Sequence, residues 1–207
     1  MIDSLQPMLA FEQQEPFDRQ GWGFEVKYDG YRLMAQAGSL GLQLRSRRGA
    51  DAATWFPELI APLAKLRGKG WVFDGEACVL DDRGRSSFDR LHDRARRRSW
   101  DAEHPVTFCV FDCLVAAGRT ILEKPLTERK KHLDRLRGVP GVLVVDHMEE
   151  QGTLVYQHAV MALKLEGMMA KRLASTYQSG ERSRDWIKVK RAGAVRPERF
   201  KRDNDTV

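Results

Sequence analysis

The residue types and spacing best suited to chemistry lie in Glu25-Val26-Lys27-Tyr28-Asp29-Gly30-Tyr31-Arg32. Lys27 is a nucleophile once it loses its proton. Asp29 adds a carboxylate two residues on, Gly30 lets backbone approach a ligand, and Arg32 can hold a ribose or a phosphate. In an extended segment Lys27 and Asp29 share one face, and Gly30 suits a tight turn out of that strand. A buried or cation-flanked lysine can shed its proton and attack phosphorus. Lys27 would then take a nucleotide as a phosphoramidate and pass it on. A surface hairpin with a solvated Lys and Asp fits the same octapeptide, so both readings stand at this point.

Other stretches carry similar pairs of readings. Arg45-Ser46-Arg47-Arg48-Gly49 is a solvated basic loop or a phosphate contact. Asp74-Gly75-Glu76 sits inside a strand pattern, where a carboxylate needs a partner. It is either a bulge with exposed acids or a place where Glu76 faces a site. Phe111 is core or a platform for a nucleobase. Glu166 and Lys171 have opposite parity along one strand, so they do not simply pair with each other. Trp186, Lys188 and Lys190 share a face opposite Ile187 and Val189. Two lysines on one face repel. An anionic ligand relieves that repulsion, and an edge strand guarded by lysine is the alternative.

The elements that must position these groups are mixed. Pro7-Met8-Leu9-Ala10 reads as an apolar plug laid down before the first strand. Trp22, Phe24 and Val26 alternate, as do Leu40, Leu42 and Leu44. With Tyr31 to Ala37 between them, they predict an antiparallel meander. Phe56, Leu59, Ile60, Leu63 and Leu66 have helical spacing, with Thr54 as a cap and Pro62 as a kink or an early end. Strands are expected at Trp71 to Phe73, Ala77 to Leu80, Val106 to Val115, Val142 to Val145 and Asp185 to Lys190, and Glu166 to Arg172 reads as a turn into a strand. Asp81-Asp82-Arg83-Gly84 is a hairpin turn. Helices are expected from Ser86, from Thr127 and over 153–163. The first runs into Arg94-Ala95-Arg96-Arg97-Arg98, a solvated face or a phosphate contact.

Composition sets the bounds. The 207 residues are 42% hydrophobic, enough for one sizeable core. A net charge of +6 favours a polyanionic partner. Cys78, Cys109 and Cys113 are odd in number and lack C-x-x-C spacing, so they read as reduced core thiols. Neither a basic leader nor a membrane-length apolar run is found, which leads us to expect a cytoplasmic protein with no membrane contact.

Six motifs then occur in one order: Lys27-x-Asp29-Gly30-x-Arg32, Ser46-Arg47-Arg48-Gly49, Phe73-Asp74-Gly75-Glu76, Val110-Phe111-Asp112, Glu166-Gly167-x-x-x-Lys171 and Trp186-x-Lys188-x-Lys190. With these the chain resembles the nucleotidyltransferase (adenylation) domain of ATP-dependent DNA ligases, most nearly the ligase module of bacterial end-joining ligases, over roughly Pro7 to Lys190. The resemblance implies an α+β, ATP-grasp-like fold of antiparallel sheets flanked by helices, with the nucleotide between them. Residues 1–190 would form that domain and 191–207 a basic, flexible tail. Lys27 would take AMP from ATP, Glu25 would face the adenine amino group, and Phe111 would stack on the base. Arg32 and Glu76 would hold the ribose region, and Arg47 would meet phosphate. Glu166 with Asp29 would bind Mg²⁺ or Mn²⁺. Lys188 and Lys190 would hold the α-phosphate, with Lys171 near the same charge. The two strand lysines would also favour the neutral amine that attack by Lys27 requires.

The resemblance further implies three steps: lysyl-AMP formation, transfer of AMP to a 5′-phosphate at a nick or break in duplex DNA, and displacement of AMP by a 3′-hydroxyl. Ligases of this kind continue into an OB-fold domain, for which 191–207 is too short. A slow first step, or a partner protein supplying an OB-fold or DNA-binding domain, is therefore expected. Nucleoid association is expected if the source is bacterial. An RNA ligase and a non-catalytic nucleic-acid-binding protein are the competing classes, and Glu25 disfavours a guanylyl-transferring capping enzyme.

Overall fold

A computed structural model describes residues 2–98 and 101–194. In chain order the strands are β1 (Leu9–Gln13), β2 (Trp22–Lys27), β3 (Tyr31–Ala37), β4 (Gln43–Ser46), β5 (Trp71–Val79), β6 (Val106–Ala116), β7 (Arg119–Thr120), β8 (Val142–Val144), β9 (Met148–Glu149), β10 (Gly167–Arg172) and β11 (Arg182–Lys190). The helices are short: α1 (Ile60–Ala64), α2 (Phe88–Arg97), α3 (Leu126–Lys131) and α4 (Gly152–Val155). No helix among the described residues is long and apolar enough to cross a membrane.

Two sheets form. The first has the order β1-β11-β10-β2-β9, and the second β4-β3-β5-β6-β7 with β8 added to β6. Pairing is antiparallel except between β1 and β11 and between β6 and β8. The α+β expectation holds, but the meander does not. β3 and β4 pair as expected, whereas β2 lies in the other sheet. Alternation marks a strand's faces without naming its neighbour, so the sequence pattern is compatible with either arrangement. The chain leaves the first sheet at Lys27 and enters the second at Tyr31. Gly30 makes the crossing possible, because a Cβ there would strike the backbone oxygen of Ala77 in β5. The glycine thus serves the packing of β3 on β5.

Four apolar clusters hold the sheets, the smallest formed by Cys78, Cys109 and Val145. Leu33, Phe56, Phe73, Phe108 and Val110 fill the outer side of the second sheet. Met8, Met34, Val72, Leu114 and Trp186 pack between the sheets. Trp22, Phe24, Val160, Met168 and Val189 lie beneath the first. Each fully buried side chain of this size contributes roughly 1.5–3 kcal/mol. The plug at Pro7 to Ala10 is real, with Met8 fully buried, but it continues into β1, a strand the sequence pattern did not mark.

Several local expectations need correction. Trp71 to Val79 is one strand, with register shifts at Val72/Phe73 and Asp74/Gly75. The bulge is therefore present, but Asp74 is fully buried. Phe56, and not Thr54, caps the turn that leads into α1, with no side-chain hydrogen bond. The helix then ends at Ala64, as Pro62 in its middle foreshadows. The segment expected as one helix over 153–163 is α4 followed by a π-helical turn at Tyr156–Met161. Arg94 is neither solvated nor available to phosphate: it is 3% exposed and bonded to Glu58. Cys78, Cys109 and Cys113 are free and buried, as expected. At the start of the expected tail, Arg191 donates through Nε to the Leu165 carbonyl at 2.9 Å. From residue 195 that tail lies outside the described residues.

Candidate functional site

Glu25, Lys27, Arg32, Glu76, Phe111 and Lys171 line one cavity between the two sheets. Strand register brings them together. Glu25 and Lys27 are two residues apart on β2 and so share a face. β10 runs beside β2 with Met169 opposite Glu25 and Lys171 opposite Gly23. On the facing sheet Arg32 of β3 is opposite Glu76 of β5, and Glu76 is opposite Cys109 of β6. Phe111 then follows two residues along the same face.

At one end, Lys27 Nζ is ion-paired with Glu166 Oε2. Burial pushes the Glu166 carboxyl above its usual range, although the Lys27 charge opposes it. Asp29 does not share a strand face with Lys27, because β2 stops at Lys27. The Asp29 backbone N–H instead donates to Ser86 Oγ at 2.9 Å. Asp29 and Glu166 line a second, larger cavity of about 460 Å³. Among the described residues no three His, Cys, Asp or Glu side chains gather into a cation cage. Two carboxylates on one cavity do fit a magnesium-type ion, which keeps waters and takes substrate phosphates as its other ligands. Glu76 faces the same end. Burial raises its pKa to about 7 despite Lys27 and Arg32.

The other end is built around Glu25. Its Oε1 accepts from Lys130 Nζ at 2.7 Å, and its Oε2 lies 2.6 Å from Lys171 Nζ. Burial works against the charge on Glu25, but the two ammoniums outweigh it and hold its pKa below the usual carboxylate value. A carboxylate has about four lone-pair sites, and these two contacts engage one on each oxygen. Burial lowers Lys171 to about 8, with Glu25 opposing. The Lys171 ammonium is poorly aligned on Glu25 for a hydrogen bond and sits over the rings of Phe111 and Trp186, at 4.1 and 4.4 Å. Lys171 therefore belongs to the Glu25 end of the cleft and not to the Lys27 end, four residues away along β2, where the phosphate was expected.

Arg32 is fixed by a bidentate pair with buried Asp74, both contacts 2.6 Å, and Tyr177 OH donates to the same carboxylate at 2.6 Å. Lys188 and Lys190 leave β11 on the predicted face. β11 is not an edge strand, since β1 covers it, and both lysines meet Glu12 of β1. Neither belongs to the set of residues lining the cavity around Lys27. Arg47 is exposed in the turn after β4, at a separate hollow that includes Arg45 and Arg48.

Sequence reasoning missed Glu12, Lys130 and Tyr177 as site residues. Lys130 lies 105 positions from Glu25 and Tyr177 lies 103 from Asp74, so no local spacing announces either. Glu12 falls in a strand whose alternation is weak.

Comparison with known proteins agrees with this geometry. The family described as ATP dependent DNA ligase domain matches residues 7–190. The multifunctional non-homologous end joining protein LigD of Mycolicibacterium smegmatis is 37% identical over 189 residues, which is 91% of this chain and 24% of that protein. The SPbeta prophage-derived DNA ligase-like protein LigB of Bacillus subtilis is 32% identical, over 89% of this chain and 67% of that one. The solved structure of a mycobacterial DNA ligase D complexed with ATP and MES superposes with a TM-score of 0.78 at 34% identity, covering 92% of this chain and 61% of the other. The chain thus spans about a quarter of the LigD protein it matches. A match that runs through both sheets and carries every wall of the central cavity places this chain in the ATP-dependent DNA ligase domain family.

Proposed function

We propose that this chain is the adenylyl-transferring core of a DNA ligase acting on nicked or broken duplexes. The observation that carries the reading is the single cavity in which Lys27 faces Glu76 and Arg32 while Glu25 and Phe111 line the same space. Family membership supports ATP as the nucleotide. Glu25 is an ionised acceptor, so it suits the adenine amino group and opposes the carbonyl of guanine.

In step one the neutral Lys27 amine attacks the α-phosphorus. A P–N bond forms, the P–O bond to pyrophosphate breaks, pyrophosphate leaves, and the proton lost by the nitrogen passes to solvent. The Lys27–Glu166 ion pair has to open before that attack. In step two a DNA 5′-phosphate oxygen displaces Lys27, which regains a proton. In step three the 3′-hydroxyl attacks the activated 5′-phosphorus and AMP departs. Lys188 and Lys190 would hold the α-phosphate, and Arg47 a phosphate farther out. Glu166 and Asp29 would hold Mg²⁺ or Mn²⁺, which supplies charge neutralisation at phosphorus when bound. At about 70 Å³ the cavity is well below the roughly 300 Å³ at which ligand clefts begin. A base stacking on Phe111 would therefore take the place that Lys171 occupies.

The test is incubation with α-labelled ATP and Mg²⁺ or Mn²⁺, followed by a denaturing gel. Wild type should retain label and Lys27→Ala should retain none. Equal labelling of both proteins would remove Lys27 from its role. No label on either, together with failure to seal a pre-adenylated nick, would favour the binding-protein alternative. Parallel nicks in DNA and RNA decide the polymer.

A further inference from the structure

Glu12 makes with two lysines the contact that a phosphate would make. Its Oε2 lies 3.0 Å from Lys188 Nζ and 3.1 Å from Lys190 Nζ, so one oxygen bridges two ammoniums. The position is fixed by register. Glu12 of β1, Lys188 of β11, Met169 of β10 and Glu25 of β2 are successive cross-strand partners. They leave the same face of the first sheet, and Lys27 follows Glu25 on it by two residues. Two lysines that would repel each other across one face are neutralised by an anion on the strand that covers them.

This contact is unlike the buried pairs elsewhere. The Glu12 side chain is 51% exposed, against 26% for Lys188 and 29% for Lys190. Solvent and other anions reach all three, and each ammonium has three donors to redistribute. An exposed ion contact of this type exchanges partners readily, because water screens it and each lysine pairs with Glu12 alone among the described ion pairs.

We propose that Glu12 is an internal counter-ion that competes with the nucleotide's phosphate for Lys188 and Lys190, and so sets the affinity of the site for phosphate. The proposal rests on the ligase reading only in taking the phosphate to be that of a nucleotide. Glu12 touches no substrate atom; it acts through the two lysines, and it makes phosphate binding a displacement of one oxyanion by another.

The experiment measures dissociation constants of adenosine, AMP and inorganic pyrophosphate for four proteins: wild type, Glu12→Gln, Lys188→Ala/Lys190→Ala, and the triple variant. Thermal unfolding of each confirms the fold. Glu12→Gln should tighten AMP and pyrophosphate about 3- to 10-fold, the effect of removing one solvent-screened charge a few ångströms from the ligand. Adenosine should change less than about twofold, and the gain should vanish without the lysines. A strand-locking role alone would lower stability without separating AMP from adenosine. Unchanged or weaker AMP binding by Glu12→Gln overturns the proposal, as does failure of AMP and pyrophosphate to bind any of the four. Tighter pyrophosphate with no adenosine or AMP binding keeps the counter-ion and sinks the ligase reading. ATP labelling of the wild type with no gain in Glu12→Gln does the reverse.

Discussion

The two walls of the cleft hold their charges differently. On the second sheet, Asp74 and Asp112 are cross-strand neighbours with no exposed surface. Two such carboxylates side by side would repel strongly. Each instead takes a guanidinium in a two-pronged grip: Arg32 on Asp74 at 2.6 Å and Arg129 on Asp112 at 2.9 Å. Arg129 also donates to the carbonyls of Lys124 and Ser175. On the first sheet the partly exposed cations near the cleft are lysines, Lys27 on Glu166 and Lys188 and Lys190 on Glu12, while Lys171 is buried on Glu25. Lys27, Lys188 and Lys190 are 21–29% exposed. A planar guanidinium with several fixed partners is a structural strut, whereas a flexible ammonium with one partner is free to trade it. One wall is built to stay and, on the ligase reading, the other to react.

The sharpest test of that contrast removes a strut. Asp112→Ala leaves Arg129 buried and uncompensated, which should cost about 3–5 kcal/mol, read from the shift in denaturant midpoint. Molecules that remain folded should still label with AMP. Full stability in this variant would break the comparison.

Glu76 gives the next effect, and its sign follows from its pKa. The group titrates near 7 in the folded protein, because burial outweighs Lys27 and Arg32, against 4.5 as its ordinary value. A raised carboxyl contributes stability that is complete below pH 4.5 and is lost as pH climbs through 7. At pH 8 wild type carries the full penalty of a charged, buried carboxylate. Glu76→Gln should therefore be more stable than wild type at pH 8 by ~2–3 kcal/mol, with the gap closing toward pH 5. A constant difference across that range would show that Glu76 does not titrate in the cleft. If it also holds the ribose, labelling should fall even as stability rises.

The smallest stability effect is expected on the reactive wall. Lys188→Ala should change unfolding free energy by less than about 1 kcal/mol while weakening AMP binding more than tenfold. A loss of several kcal/mol would make Lys188 a strut as well.

Much of this was legible in the sequence, though not the relation between the sheets. Tyr31 to Ala37 was bounded correctly because its buried run is apolar except for Gln36, and the placement of Trp186, Lys188 and Lys190 on one face follows from parity alone. Glu166 and Lys171 do not pair with each other, as expected, but parity is not the reason: Glu166 precedes β10, and the two reach Lys27 and Glu25 on one face of β2. The crossing at Tyr28 to Gly30 stayed hidden because a hairpin and a change of sheet look alike in an alternating pattern. Arg94 looked solvated because its partner Glu58 lies 36 residues away. Parallel pairing of β1 with β11 joins segments about 170 positions apart, beyond any periodicity.

The crossing has a kinetic consequence. Three residues link Lys27 to Tyr31, a tether of roughly 10–14 Å at full stretch, and Tyr177 bonds the first sheet's β10–β11 connection to Asp74 of the second. The cleft is therefore fastened at both ends, which opposes a parting of its walls. On the ligase reading, entry should instead depend on side chains swinging aside, Lys171 above all, and not on the microsecond-to-millisecond motion of domain opening. Nucleotide capture, followed through Trp186 fluorescence in a stopped-flow instrument, should then be a single phase whose rate rises linearly with concentration.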